Sequence, residues 1–300
     1  MRYIDLYHSG ELLQRVKAAY GRLASCDLCP HDCGVNRLKD EHGLCKGGLL
    51  PRIASANIHQ GEEPPISGTR GSGTIFFSGC SLSCRFCQNF PISQFGNGET
   101  ITTRALAQRM MQLQHKRVHN INFVTPTHFL PQILAALWLA VAEGFTLPIV
   151  WNSSGYEKVD ALQLLDGVVD LYLPDMKYSD ELPARQISGA PGYRETNRAA
   201  VAEMLRQVGH LVVEGNDVAV RGLVIRHLVL PDGLAGSRDT LSWIAGTLGR
   251  GTHISLMKQY FPAHLAGDTV GLDRKLTDRE YDEVVAALES LGLENGWVQE

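Results

Sequence analysis

No stretch of the 300 residues is an unbroken apolar run long enough to cross a bilayer. The most apolar one, "ILAALWLAVAEGFTLPIVW" (Ile133 to Trp151), is interrupted by Glu143, Gly144 and Pro148, and reads as a buried helix followed by a buried strand. The opening "MRYIDLYHSG" carries charge but neither an apolar core nor a small-residue cleavage site, so a secretory signal is not expected. A soluble, cytoplasmic protein is. No block of basic residues occurs and the formal charge is −4, which argues against non-specific nucleic-acid binding. Phosphate loops are missing as well: "GTRGSG" comes before a strand instead of after one, with no Gly-Lys-Ser/Thr behind it. Neither a Gly-x-Ser-x-Gly elbow nor a His-Glu-x-x-His helix is present. Finally, there is no cysteine outside two short stretches.

Those two stretches hold all seven cysteines. Cys26, Cys29, Cys33 and Cys45 follow C-x2-C-x3-C-x11-C; Cys80, Cys84 and Cys87 crowd into eight residues of "FFSGCSLSCRFCQN". An odd total at spacings of two and three residues disfavours structural disulfides and favours metal or redox chemistry. Four thiols make a closed site, either zinc or an iron–sulfur cluster. Three thiols on one loop can ligate three irons of a 4Fe–4S cluster and leave the fourth open, the mark of a catalytic centre; a zinc site completed by a distant histidine is the blander alternative. Gly79, just before Cys80, would let the backbone approach the cluster. His31 and His42 lie among the four cysteines and read as bystanders.

Hydrophobic residues make up 44% of the chain, enough for a sizeable core. A helix is expected over about Glu11 to Leu23, then the loop-rich cysteine segment and the connector "GEEPPISGTRGSG". From Thr74 onward strand and helix signals alternate. Strands are expected at "TIFFS", "NINFVT", "LPIVWN", "VVDLYLPD", "LVIRHLVLP" and "HISLM"; helices begin near Thr103, Pro131, Ser154, Asn197, Ser237 and Thr277. Ser154/Glu157 and Thr277/Glu280 have the spacing of capping boxes. Six strand–helix repeats with Val/Ile/Leu-rich strands predict an α/β parallel sheet, either a partial (β/α)6 TIM-like barrel or an open doubly wound sheet. In both, ligands sit at the carboxyl ends of the strands, where Cys80, Thr125 to His128, Asn152 to Ser154, Asp175, Lys177, Arg226, Gln259 and Tyr260 recur. His128 is the histidine best placed for function, whereas His227 and His253 read as core residues.

These motifs carry a resemblance. "CSLSCRFC" fits the C-x3-C-x-aromatic-C signature of the radical S-adenosylmethionine superfamily, with Phe86 at the aromatic position, and the order of elements agrees from about Thr74 to Tyr260. Within it the chain looks most like the pyruvate formate-lyase activating enzymes, and resembles their homologue branch in "EEPPISG", "NINFVTPTH", "LPDMKY" and "RHLVLP". The resemblance implies an oxygen-sensitive oxidoreductase. It implies a 4Fe–4S cluster on Cys80, Cys84 and Cys87, and S-adenosylmethionine chelated to the open iron. An electron from flavodoxin or ferredoxin then cleaves that cofactor to a 5′-deoxyadenosyl radical, which abstracts hydrogen, in activating enzymes from a glycine of a partner protein. Modification of another protein, RNA or a metabolite is an alternative, and a non-catalytic iron–sulfur electron carrier is another.

By the same resemblance Phe86 lies against the adenine, and Asn152, Ser153 and Ser154 form a polar turn near the cofactor. Asp175 and Lys177 match an Asp-x-Lys motif at its ribose and carboxylate, Arg226 an arginine of the corresponding strand, and Tyr260 a polar contact. Where most relatives carry Gly-Gly-Glu for the cofactor's amino group, this chain has "VTPTH", which leaves Thr125, Thr127 and His128 as stand-ins and offers no carboxylate there. The expected organisation is an N-terminal helix and metal-binding segment over residues 1–60, its four-cysteine site holding zinc or a second iron–sulfur cluster, and a radical core with a C-terminal helix over 61–300.

Overall fold

A computed structural model describes residues 1–215 and 217–299. Within them the strands are β1 (Arg52–His59), β2 (Ser72–Phe77), β3 (Glu99–Thr100), β4 (Ile121–Val124), β5 (Ile149–Ser153), β6 (Leu171–Pro174), β7 (Val212–Glu214), β8 (Val218–Leu228), β9 (His253–Met257) and β10 (Gly296–Val298). The six expected strands β2, β4, β5, β6, β8 and β9 lie side by side in chain order, each parallel to the next. That order selects between the two expected architectures. A doubly wound sheet reverses its direction of growth at a switch point. Here growth never reverses, so right-handed crossovers stack the helices on one face and the sheet curls around the other. β10 extends the sheet beyond β9, and β1 and β3 add antiparallel strands at the opposite edge. The result is a partial barrel.

Side chains alternate across the curled sheet. Trp151, Tyr172, Leu223 and Ile225 face the helix layer and join the main core. Their neighbours Val150, Leu171, Leu173 and Val224 point inward and pack around Ile66 from the short helix Pro64–Ser67. Strands apolar on both faces are what a sheet with a filled interior requires. Burying each of these large side chains contributes roughly 1.5–3 kcal/mol. "EEPPISG" is thus the plug of the barrel.

Three features depart from the sequence reading. Residues Arg2–His8 form a helix of their own ahead of Glu11–Gly21. Arg52–His59, inside the expected 1–60 segment, is a strand paired with β2 and so part of the barrel sheet. The Ser154/Glu157 capping box does not form: the helix starts at Val159 after Lys158, with no side-chain cap. Glu157 is instead buried and accepts hydrogen bonds from Thr127 Oγ1, Trp151 Nε1 and Ser153 Oγ at 2.9, 2.8 and 2.6 Å. The Thr277/Glu280 box does form and opens the last helix, Asp278–Ser290. No helix among the described residues is long and apolar enough to cross a membrane.

Candidate active site

β2 ends at Phe77, and the chain turns at Gly79 into the three-cysteine loop over the carboxyl end of the barrel. Cys80, Cys84 and Cys87 all line a cavity of about 360 Å³ that runs down into the barrel. Each sulfur has a hydrogen-bonding group aimed at it: Leu82 N to Cys80 Sγ at 3.3 Å, Ser188 Oγ to Cys84 Sγ at 3.0 Å, and Ser93 Oγ beside Cys87 Sγ at 3.1 Å. Burial pushes the Cys80 and Cys84 thiols up, neighbouring thiols push them further, and Lys177 pulls them down. Three mutually repelling thiols on one cavity wall, with donors at sulfur and a cation nearby, fit the donor set of a cluster that takes thiolates.

The strand ends supply the opposite wall. Asp175 follows β6 and stands between two cations, accepting from Lys177 Nζ at 2.6 Å and Arg226 Nε at 2.9 Å. Burial alone would raise its carboxyl, but Arg226 and Lys177 outweigh burial and hold it below the usual range. Lys177 is also the cation whose field reaches Cys84, so the charged row starts at the cysteine loop. The turn Asn152–Ser154 is brought in by Gly155 at φ +67°, where a Cβ would sit 2.2 Å from Asn197 Nδ2 and 2.5 Å from the Asp175 carbonyl. Asn197 closes that junction by donating to the same carbonyl at 3.0 Å. Thr125, at the end of β4, lines the cavity with φ +57°, a left-handed backbone rare for a β-branched residue.

Phe86, Thr125, Asn152, Ser153, Ser154, Asp175, Lys177 and Arg226 therefore share one cavity with the three cysteines. Three expected site residues do not. Thr127 is turned away and spends its hydroxyl on Glu157. His128 is wholly buried behind the loop, its Nε2 on the Ser78 carbonyl at 2.9 Å, and burial drives its pKa down to about 4, so it stays neutral. Tyr260 packs edge-on against Phe86, but its hydroxyl donates to the Leu272 carbonyl at 2.5 Å. Among the lining residues that the sequence reading missed are His59 and Glu62, which reach the cavity because β1 joins the barrel and its connector plugs it.

The four cysteines form a separate body behind the loop. Cys26, Cys29 and Cys45 are buried, and Cys33 is exposed. Burial raises Cys29 to about 12, and the fields of Cys45, Cys26 and Cys33 add to the rise. Among the described residues no three side chains of either cysteine group are already gathered as ligands of a single ion. Arg37 lies inside this segment at 1% exposure, donating to the carbonyls of His128 at 2.7 Å and Gly48 at 2.8 Å, with Nη1 3.9 Å from Cys26 Sγ. It has no carboxylate within 4.0 Å among the described residues. A buried guanidinium of this kind fits a site whose thiols become anionic on binding metal. The segment abuts the three-cysteine loop directly. His31 Nε2 bonds the Ser81 carbonyl at 2.7 Å, and a Cβ on Gly79 would lie 2.2 Å from the Cys45 carbonyl. Gly79 thus admits a neighbouring backbone, where the sequence reading assigned it to the cluster, and His31 is a tie between the two loops.

Comparison with known proteins agrees with this geometry. The uncharacterised protein MJ0674 of Methanocaldococcus jannaschii is 32% identical over 285 residues, 92% of this chain and 76% of its own length. Among solved structures, the FeFe-hydrogenase maturase HydG from Carboxydothermus hydrogenoformans is similar with a TM-score of 0.52 and 14% identity, over 76% of this chain and 54% of that one. A second HydG structure gives 0.51 and 11%, over 76% and 52%, so this chain spans about half the length of HydG and the likeness concerns the fold. The profile of the Radical SAM superfamily matches residues 74–229, from β2 through β8, and the chain belongs to that superfamily, with a 4Fe–4S cluster and S-adenosylmethionine as its cofactors.

Proposed function

We propose that the chain abstracts a hydrogen atom from a substrate held in the barrel cavity. In this reading Cys80, Cys84 and Cys87 hold the cluster, and Phe86, Asn152, Ser153, Ser154, Asp175, Lys177 and Arg226 hold S-adenosylmethionine. Once bound and reduced, these groups supply a 5′-deoxyadenosyl radical. The observation that carries the reading is the row Lys177–Asp175–Arg226, which leads from the cysteine loop across the cavity. Its alternating charges suit the amino and carboxylate ends of a zwitterion. Phe86, Leu228 and Met257 line the same space with apolar surface and keep water away from the reacting atoms. Thr125 takes the place of the Gly-Gly-Glu contact, while Thr127 and His128 shape the turn behind it.

Enzymes of this superfamily need a reductant, and flavodoxin or ferredoxin fills that role in our reading. Activation of a glycyl-radical protein is the finer form of the proposal. What supports it is sequence likeness in "EEPPISG", "NINFVTPTH", "LPDMKY" and "RHLVLP". We assign the Cys26, Cys29, Cys33 and Cys45 site to zinc or a second iron–sulfur cluster, on the support of Arg37, buried beside Cys26 with no carboxylate in reach among the described residues, and treat residues 1–60 as the segment it orders.

The test is direct. Reconstituted protein reduced with dithionite should turn S-adenosylmethionine into 5′-deoxyadenosine, and absence of that product sinks the reading. A partner protein deuterated at glycine should pass its label to 5′-deoxyadenosine if the activase form is right. Cleavage without label transfer leaves the hydrogen abstraction and removes the glycyl partner.

A further inference from the structure

The cavity has further polar lining outside the residues assigned above to the cofactors. Ile66 is seated in the inner apolar cluster, and Asn120 Nδ2 holds its carbonyl at 2.8 Å. Ser67 Oγ accepts from Glu62 N at 3.0 Å and ties the start of the same plug. These contacts carry Glu62 into the cavity, with only 7% of its side chain exposed. Its carboxylate is short of partners. His59 Nε2 stands 4.0 Å away on a half-exposed ring, and no lysine or arginine nitrogen lies within 4.0 Å among the described residues. The field of Arg226 reaches Glu62, but its Nε is committed to Asp175. Asn122, wholly buried in the middle of β4 and outside the cavity lining, faces Glu62 and helps to hold its carboxyl down, although neither of its amide atoms has a partner within 3.5 Å. Burial pushes the Glu62 carboxyl up, and Arg226 only partly offsets it.

A carboxylate and an amide buried with unmet hydrogen bonds are costly unless something fills them. The charges nearby agree. Glu62, Glu63 and Asp175 face Arg226, and Lys177 is the one other fixed cation in the row, so carboxylates outnumber fixed cations. Arg226 acts on Glu62 and is paired with Asp175, which is paired with Lys177 beside Cys84, so Glu62 and the cysteine loop are at opposite ends of this charged row.

We propose that Glu62, backed by Asn122, forms the substrate-recognition subsite, and that the substrate carries a protonated amine or guanidinium bound there. The carboxylate takes the N–H groups and the charge, while Asn122, behind it and outside the cavity lining, is free to turn its NH₂ to Glu62. The inference rests on the reading that the reaction occurs in this cavity.

The experiment is an anaerobic calorimetric titration of the reconstituted holoenzyme with n-pentylamine, 1-pentanol and pentanoate, which differ only in their end group, with and without S-adenosylmethionine. We expect the amine to bind at least tenfold more tightly than the other two. Glu62→Gln should erase that preference, whereas Glu62→Asp keeps its sign, which guards against misfolding as the cause. No preference in the wild type, whether all three bind alike or none binds, overturns the proposal, as does a preference that survives Glu62→Gln. Failure of S-adenosylmethionine itself to bind, read in the same titration, counts against the cofactor reading and leaves the amine arms to be judged separately.

Discussion

The two cysteine groups differ less in chemistry than in where the fold puts them. The three-cysteine loop opens onto the cavity, next to Lys177 and the strand ends. The four-cysteine group has most of its thiols buried away from that cavity, with Cys26 beside a cation, Arg37, that reaches no carboxylate among the described residues. A site with a free position beside a cavity can bind and activate a ligand, whereas a closed one can order the chain around it or relay an electron. Yet the two are in contact through Gly79 against Cys45 and His31 against Ser81. Ligand count alone therefore does not separate a working site from a supporting one; exposure to the cavity does.

The largest expected effect breaks the comparison at its centre. Cys84→Ala should abolish formation of 5′-deoxyadenosine, while Cys26→Ala should lower metal content and thermal stability but leave measurable cleavage. Metal and sulfide analysis beside product chromatography checks both, and equal loss of cleavage in the two variants would erase the distinction. Next, Gly79→Ala places a Cβ against the Cys45 carbonyl at a left-handed φ of +86°. It should destabilise the junction by about 3 kcal/mol and loosen both groups together, visible as a lower denaturation midpoint.

Removing a partner from a buried charge set comes third. Arg37→Met, in the metal-loaded protein where the cysteines are thiolates, and Asp175→Asn in the cavity should each destabilise by roughly 3 kcal/mol, because each leaves opposite charge uncompensated. Only Asp175→Asn should also weaken S-adenosylmethionine binding in a titration. The Asp175 carboxyl is held below its ordinary value of about 4, so its contribution is present above that pH and disappears as pH falls through the lower native value. The wild type should therefore lose stability on acidification in that window, and Asp175→Asn should not share that part of the loss. The smallest effect is a gain. Thr125→Gly relieves a left-handed threonine and should raise stability by about 1 kcal/mol in chemical denaturation.

Much of the barrel was legible because its signals are local. "HISLM" and "TIFFS" read as strands from their composition, and the Thr277/Glu280 pair read as a helix start because its partners are only three positions apart. Glu157 has the same spacing from Ser154 and misled for a tertiary reason: Trp151 and Thr127 capture its carboxylate, and Thr127 is thirty residues away. His128 sits at a strand end, which put it in the expected site, but the cysteine segment packs over it. "RIASANIH" has too weak an alternation to announce a strand, and β2 supplies the pairing that makes it one.

The order of residues along the chain set the chemistry available: three thiols on a loop after the first parallel strand, four at closed-site spacing, and the Asp-x-Lys motif after the fourth. Spacing along a chain governs which ligands can reach one centre, and that needs no knowledge of the fold. What that chemistry faces was settled in three dimensions. Curling the sheet brought Arg226 to Asp175, 51 residues apart, and Arg37 to the His128 carbonyl, 91 apart. It also folded "EEPPISG" into the barrel so that Glu62 looks into the cavity. Such contacts depend on how strands close around an interior, and no local periodicity encodes them.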